Sequence, residues 1–269
     1  VTNSNNSPSV NKPSYVLVKR DPKIQKSRLL LPILGEEQVI MEEISKNDIV
    51  IISGETGSGK TTQLPQFLYE AGYSNKNNPK KCMQGMIGIT EPRRVAAIAM
   101  SERVGIELGF PKNECSYKIR HDGTVSANTR IKFMTDGVLI KEVENDFLLS
   151  NYSVIIIDEA HERSLHTDIL LGLLSRIVIV RKKRFCPLKL IIMSATLQLE
   201  QFESNKMLFP TNIPPVIKIS SRQYPVSIHF SRKTPSDYLK AAYNRICKIH
   251  RKTPTHGSIL VFVTSHREL

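Results

Sequence analysis

Residues 54–61 read Gly-Glu-Thr-Gly-Ser-Gly-Lys-Thr, which satisfies the spacing G-x-x-x-x-G-K-[ST]. In such a segment the glycines let successive backbone N–H groups turn inward around an anion. A helix opening directly after it adds unpaired donors and the positive end of its dipole. Lys60 can then reach the β- and γ-phosphates of a nucleotide, and the Thr61 hydroxyl can ligate Mg²⁺. Gly57, Ser58, Gly59, Lys60, Thr61 and Thr62 are the candidate nucleotide-contacting residues. Gly-Ser-Gly is also ordinary loop chemistry, so the flanks decide. The apolar run Ile49, Val50, Ile51, Ile52 precedes the loop, and residues 62–70 form a plausible helix after it. Strand, glycine loop and helix is the context a phosphate cradle requires. Pro65 falls inside the helix and predicts a kink or a weakened hydrogen bond.

Asp158-Glu159-Ala160-His161 follows the apolar run 154–157. A carboxylate at the end of a strand beside a phosphate loop can hold the Mg²⁺ that bridges terminal phosphates, and Asp158 fills that position. Glu159, one residue on, can orient and polarise an attacking water, and it joins Thr61 and Asp158 as a candidate magnesium ligand. Alone, Asp-Glu after a strand is common surface chemistry; downstream of a phosphate loop it reads as catalytic.

Arg93 and Arg94, in Thr90-Glu91-Pro92-Arg93-Arg94, fall in the first turn of an expected helix, where the dipole favours acids. A bound phosphate of a nucleic acid resolves the conflict, and pairing with Glu91 or another acid is the alternative. Thr135-Asp136-Gly137-Val138 closes one strand and opens a helix, whose first N–H groups and Thr135 hydroxyl can hold a second backbone phosphate or simply cap the helix. Ser194-Ala195-Thr196 ends another strand. Its hydroxyls either sense the neighbouring acids or cap the helix expected after Thr196.

The elements that must position these groups alternate. Apolar strands are expected at 49–52, 86–90, 154–157 and 190–193, with helices at 36–46, 62–70, 92–108, 136–145 and 168–181. Val39, Ile40 and Ile44 share helical spacing, as do Ile169, Leu170, Leu173, Leu174, Ile177 and Val178. Strands that are apolar throughout and alternate with helices predict a mostly parallel sheet with helices on both faces. Further strands are expected at 115–120, 129–134, 216–219, 226–230 and 259–263, and a helix at 237–250. Residues 1–11 are Asn- and Ser-rich without periodicity and are expected to be disordered. The chain ends soon after opening a second β-α pattern, as if cut within a domain. Three segments are therefore expected: an N-terminal extension (1–27), a first α/β domain (28–220), and a linker with the start of a second (221–269).

The 269 residues carry a formal net charge of +13, which points to a polyanionic partner, nucleic acid ahead of a membrane surface, although a protein can simply be basic and soluble. Cys82, Cys115, Cys186 and Cys247 lie far apart, which excludes a zinc ribbon or disulfide framework and suits a reducing compartment. No apolar run approaches a membrane span, and the start is no secretory signal, so a cytosolic or nuclear location is expected. Arg181-Lys182-Lys183-Arg184 reads as the solvated end of a helix rather than a localisation signal. The histidines outside the acidic motif show no ligand spacing.

Taken in order, these motifs resemble the first half of a DEAH-box RNA helicase core. Residues 54–61 resemble that family's motif I, 90–97 motif Ia, 135–139 motif Ib, 158–161 motif II, 194–196 motif III, and 260–265 the start of motif IV. Wording outside the motifs, including 31–41, 66–73, 130–139 and 221–226, resembles the branch that works on the small ribosomal subunit precursor. The resemblance implies a RecA-like P-loop NTPase domain plus the truncated start of a second RecA-like domain. It implies ATP or other NTPs with Mg²⁺ as cofactors. It also implies RNA as partner (pre-ribosomal RNA or a small nucleolar RNA), an activating protein, and a nucleolar location within the nucleus. Lys60, Asp158, Glu159 and His161 would be catalytic, and Arg93, Arg94, Thr135 and Asp136 would bind RNA. Ser194 and Thr196 would couple the two sites, and Arg103 would stack on the nucleotide base, a contact that reads no base identity. Thr264-Ser265-His266 departs from the Thr-Gly usual in motif IV, and the loop 75–84 is longer than its counterparts. The arginine fingers of later motifs lie outside this sequence, so this segment alone is expected to bind nucleotide and turn it over poorly. A DNA translocase, or a basic nucleic-acid-binding module with a vestigial nucleotide site, are the competing readings; the wording of the motifs and the intact Lys60, Thr61, Asp158 and Glu159 disfavour them.

Overall fold

Unbroken runs of β-branched residues satisfy the conditions for strands covered on both faces. The computed structural model describes residues 15–184, 186–195, 208–209, 213–219, 226–252 and 257–265. Its strands are β1 (Ile49–Gly54), β2 (Met86–Glu91), β3 (Cys115–Ile119), β4 (Asp122–Gly123), β5 (Ile131–Thr135), β6 (Tyr152–Ile157), β7 (Lys189–Ser194) and β8 (Val216–Ile219). They form one eight-stranded sheet in the order β4-β3-β5-β2-β6-β7-β1-β8. Every pair is parallel except β3 with the short β4.

Successive strand residues point to opposite faces, and two apolar layers result. On one face Val50, Ile52, Val154, Ile156, Ile191 and Met193 pack with α2 (Glu37–Lys46), α3 (Lys60–Glu70) and α4 (Arg94–Leu108), which contribute Ile44, Phe67 and Val104 among others. On the other, Ile51, Ile155, Ile157 and Ile192 pack with α5 (Asp136–Asn145) and α6 (Leu165–Lys183) through Leu139, Leu170, Leu174 and Ile177. This is the mostly parallel, doubly covered sheet that the alternating pattern predicts. Before it, α1 (Pro22–Arg28) and an extended segment lie against α3, where the Val16 N–H bonds the Glu70 carbonyl at 2.8 Å.

Pro65 does not end α3: burial of Leu64, Pro65, Phe67 and Leu68 outweighs the backbone bond that proline cannot make. The helix expected from Pro92 begins two residues later. Arg93 is its N-cap in an extended conformation, because β2 runs on to Glu91 and the chain needs Pro92 and Arg93 to turn. Gly109, at φ +62, closes it as expected. Val39 and Ile169, expected on apolar faces, are 48% and 43% exposed at the edges of those faces. Arg181 is not a solvated helix end: its guanidinium is buried and donates to the carbonyls of Leu149, Tyr152 and Cys186.

The chain divides into two units, residues 1–223 and 224–269. In the second, α7 (Tyr238–Lys252) forms as expected. Residues 226–230 and 259–263, expected as strands, are not: neither has a neighbouring strand among the described residues, and Phe230 and Phe262 are each 88% exposed. Apolar propensity makes no strand without a ladder partner. Residues 1–11, 221–225 and the helix expected after Thr196 lie outside the described residues. No described helix is long and apolar enough to cross a membrane.

Gly85 marks a close approach of β2 to β6. A Cβ there would lie 2.7 Å from the Ser153 nitrogen, a backbone atom that cannot step aside. Gly85→Ala is expected to destabilise the protein by about 1–3 kcal/mol, as overpacking does. A denaturant midpoint unchanged from the wild type would contradict this.

Candidate active site

In a parallel sheet all strands end on one edge, and the residues of interest leave from it together. β1 opens into the glycine loop and β6 into Asp158, with β7 inserted between them. Adjacent strands are about 4.8 Å apart, so the two strand ends stand about 10 Å apart. Side chains span that distance: the Thr61 hydroxyl, in the first turn of α3, donates to Asp158 Oδ2.

The glycine loop has the geometry its composition predicts. Gly57 and Gly59 sit at φ +86 and +93, where a side chain would be strained, and Gly59 is the N-cap of α3. A Cβ on Gly54 would meet Ile219 of β8 at 2.9 Å. Lys60 is buried within the loop and donates to the carbonyls of Gly54 and Glu55. Burial lowers its pKa, and the charges of Asp158 and Glu159 work against that shift. The Thr62 hydroxyl donates to the Gly59 carbonyl at 3.2 Å and ties the helix start to the loop.

Burial pushes the Asp158 carboxyl upward, against the hydrogen bonds from Thr61 and the Glu159 N–H. Glu159 stands at φ 51 and its carboxyl is raised, first by burial and then by Asp158. His161 Nδ1 lies 3.2 Å from Glu159 Oε2 and 3.2 Å from the Ala195 nitrogen. A nitrogen that accepts from the Ala195 N–H carries no proton to give Glu159, so the ring serves one partner or the other. The acidic loop thus meets the end of β7 through the backbone of Ala195. Ser194 is buried beside it, and Thr196 lies outside the described residues.

Glu91 was not singled out from the sequence as a site residue, yet it ends β2 beside Asp158. The register Thr90↔Ile157 brings the following residues side by side. Burial first, and then the Asp158 charge, push the Glu91 carboxyl up to about 9, and the two carboxyls are joined by a hydrogen bond. The signal was a second strand ending in an acid, but adjacency of the two strands is not written in either run.

The candidate RNA contacts lie on the same edge, since β2 and β5 pair with Glu91 opposite Thr135. Arg93 and Arg94 are exposed at the start of α4, whose first turn has no acid. Arg93 pairs with Glu162 at 3.0 Å, just past the acidic motif. Thr135 is the N-cap of α5 but makes no side-chain capping bond. Asp136 opens α5; its side chain is buried, and its Oδ2 accepts from the hydroxyls of Thr167 at 2.6 Å and Ser164 at 3.3 Å. A carboxylate would repel a phosphate; here it fastens α5 to the start of α6. Arg103 is set apart on α4, ion-paired with Glu107.

Among the described residues no group of three or more His, Cys, Asp or Glu is placed to hold a metal alone. A hydroxyl and a carboxylate at hydrogen-bond distance are hard oxygen donors of the kind Mg²⁺ takes, the rest of its shell coming from water and phosphate oxygens. The residues therefore fit a magnesium–nucleotide complex.

A family model described as DEAD/DEAH box helicase matches residues 36–204. Over 255 residues the chain is 61% identical to the probable ATP-dependent RNA helicase kurz of Drosophila melanogaster. It is 57% identical over 256 residues to the probable ATP-dependent RNA helicase DHX37 of Homo sapiens, and 54% over 271 residues to the probable ATP-dependent RNA helicase DHR1 of Saccharomyces cerevisiae. These alignments cover 95%, 95% and 98% of the chain but 21% of each relative, so the chain spans about a fifth of their length.

Proposed function

The chain belongs to the DEAD/DEAH box helicase family, and on that footing we propose that it is the nucleotide-binding part of an ATP-dependent RNA helicase that acts on pre-ribosomal RNA. The observation that carries the reading is the hydrogen bond between Thr61 and Asp158, 97 residues apart, at the mouth of the glycine loop. A hydroxyl and a carboxylate meet there with Lys60 beside them, which is the donor set a nucleotide triphosphate needs.

Lys60 and the loop N–H groups hold the β- and γ-phosphates. Thr61 and Asp158 would hold Mg²⁺, which neutralises charge on those phosphates when bound. Glu159 orients the attacking water and takes its proton. Arg94, Arg93 and the N-terminal N–H groups of α5 grip the RNA backbone without reading sequence. Arg93 links the two events: RNA phosphate competes for it with Glu162, three residues beyond Glu159. The link between His161 and Ala195 carries the state of the acids to the end of β7. Work on pre-ribosomal or small nucleolar RNA, an activating protein, and residence in the nucleolus belong to the same proposal. They are supported by the resemblance of segments such as 130–139 to that branch.

The test is ATP turnover by the full-length protein with single-stranded RNA or DNA added. RNA is expected to stimulate and DNA to do so weakly; equal stimulation would favour a DNA translocase. In the same protein Arg94→Ala should weaken RNA binding for all sequences alike and reduce the salt slope by about one phosphate contact. An unchanged slope would remove Arg94 from the RNA track.

A further inference from the structure

Arg103 is joined to the glycine loop by an unbroken line of hydrogen bonds. Its Nε donates to Glu107, whose side chain is 4% exposed while that of Arg103 is 58% exposed. The other Glu107 oxygen accepts from Gln63 Nε2 at 2.9 Å and from Gln66 Nε2 at 2.7 Å. Gln63 Nε2 donates also to the Thr62 hydroxyl at 3.0 Å, which in turn donates to the Gly59 carbonyl. On the far side, Gln63 Oε1 accepts from Arg28 Nε at 2.7 Å and Gln66 Oε1 from Arg20 Nη2 at 2.8 Å. Both arginines close on Glu70.

Each amide and carboxylate oxygen in this line has a partner, and a satisfied buried net holds one geometry. Burial opposes ionisation of Glu107, but the bonds from Arg103, Gln63 and Gln66 outweigh it and hold the carboxyl below its usual range. An ordinary i, i+4 ion pair on a helix surface is worth only a few tenths of a kcal/mol and orients little. Here the acid is immobilised from α3, so the guanidinium is pinned by one edge while most of its surface stays open to water. A planar cation held in that way suits stacking on a flat π system.

We propose that Glu107 is the positioning residue for Arg103. It sets the guanidinium as a platform for the nucleotide base at a fixed distance from the phosphate loop, and Arg20 and Arg28 brace the net from the N-terminal segment. The inference rests on the reading of Arg103 as the base-stacking residue. It goes beyond that reading by making the platform depend on a buried acid on α4 and on the segment that carries Arg20 and Arg28.

The experiment compares Glu107→Gln, Arg103→Ala and the double variant in the full-length protein, by RNA-stimulated ATP turnover and by inhibition with Mg-pyrophosphate, which has no base. Glu107→Gln should raise KM for ATP about five- to tenfold, the scale of a stacked cation's contribution, with kcat within about twofold. Pyrophosphate inhibition should be unchanged, and the double variant should be no worse than Arg103→Ala. If Glu107→Gln does not fold, Glu107→Asp keeps the charge but shortens the reach, and the same split is expected of it. Arg103→Ala without effect on KM would sink the base-stacking reading and this inference with it. Arg103→Ala impaired but Glu107→Gln normal would sink the positioning role alone. Equal loss for ATP and pyrophosphate would show that Glu107 merely supports the loop, and would overturn the proposal.

Discussion

Glu159→Gln in the full-length protein is expected to lower RNA-stimulated ATP turnover by about 10²–10⁴-fold, the usual contribution of a positioned general base. The substitution is isosteric and removes only the charge and the capacity to take a proton. Nucleotide binding should survive, because Lys60 bonds the loop carbonyls and Thr61 bonds Asp158 without help from Glu159. It should even tighten slightly, since a carboxylate that opposes an incoming phosphate is gone. Calorimetric titration with Mg-ADP alongside steady-state turnover separates the two effects. Turnover near that of the wild type would mean that another group orients the water.

Lys60→Ala should act on the other quantity. An ammonium facing phosphates at about 4 Å in a half-screened site interacts with them by roughly 4 kcal/mol, so Mg-ADP affinity should fall by about 10²–10³-fold. The Lys60 charge opposes the upward shift of both Asp158 and Glu159, so its removal also leaves those carboxyls harder to ionise. A ligand that binds only the folded state stabilises it by RT ln(1 + [L]/Kd) and so raises the melting temperature. The wild type should therefore gain thermal stability with Mg-ADP, and Lys60→Ala should gain none at the same concentration. A full shift in the variant would contradict the assignment of this loop as the phosphate site.

The phosphate loop and the acidic motif were legible because their chemistry is packed into consecutive residues: eight residues specify a cradle, and Asp158 follows a run that can only be a buried strand. What the sequence did not show is mostly adjacency. Periodicity reveals that 86–90 and 154–157 are strands but not that they are neighbours, so the hydrogen bond between Glu91 and Asp158 had no local signature. Arg93 finds its acid 69 residues away at Glu162, and His161 meets a backbone N–H, which any residue but proline at position 195 would provide. The burial of the Asp136 and Arg181 side chains is likewise not written in their types, which favour the surface. Hydroxyls of Ser164 and Thr167 reach one oxygen of the buried Asp136, and carbonyls of Leu149 and Tyr152 accept from the buried Arg181. The strands expected at 226–230 and 259–263 failed for the converse reason: their composition was right and a partner strand was absent among the described residues.

The place of β1 in the sheet has a bearing on biosynthesis. Among the described residues its only strand neighbours are β7, at 189–194, and β8, at 216–219. During translation the loop-bearing strand therefore waits for about 140 more residues before any ladder can form on either side of it. Until then Ile49, Val50, Ile51 and Ile52 are an unpaired apolar segment of the kind that invites aggregation. The strands β2, β5 and β6 can pair among themselves meanwhile, so the nascent chain has a half-sheet early and its nucleotide pocket late. A ribosome stalled before residue 189 would display a chain that has its acidic motif but no anchored phosphate loop.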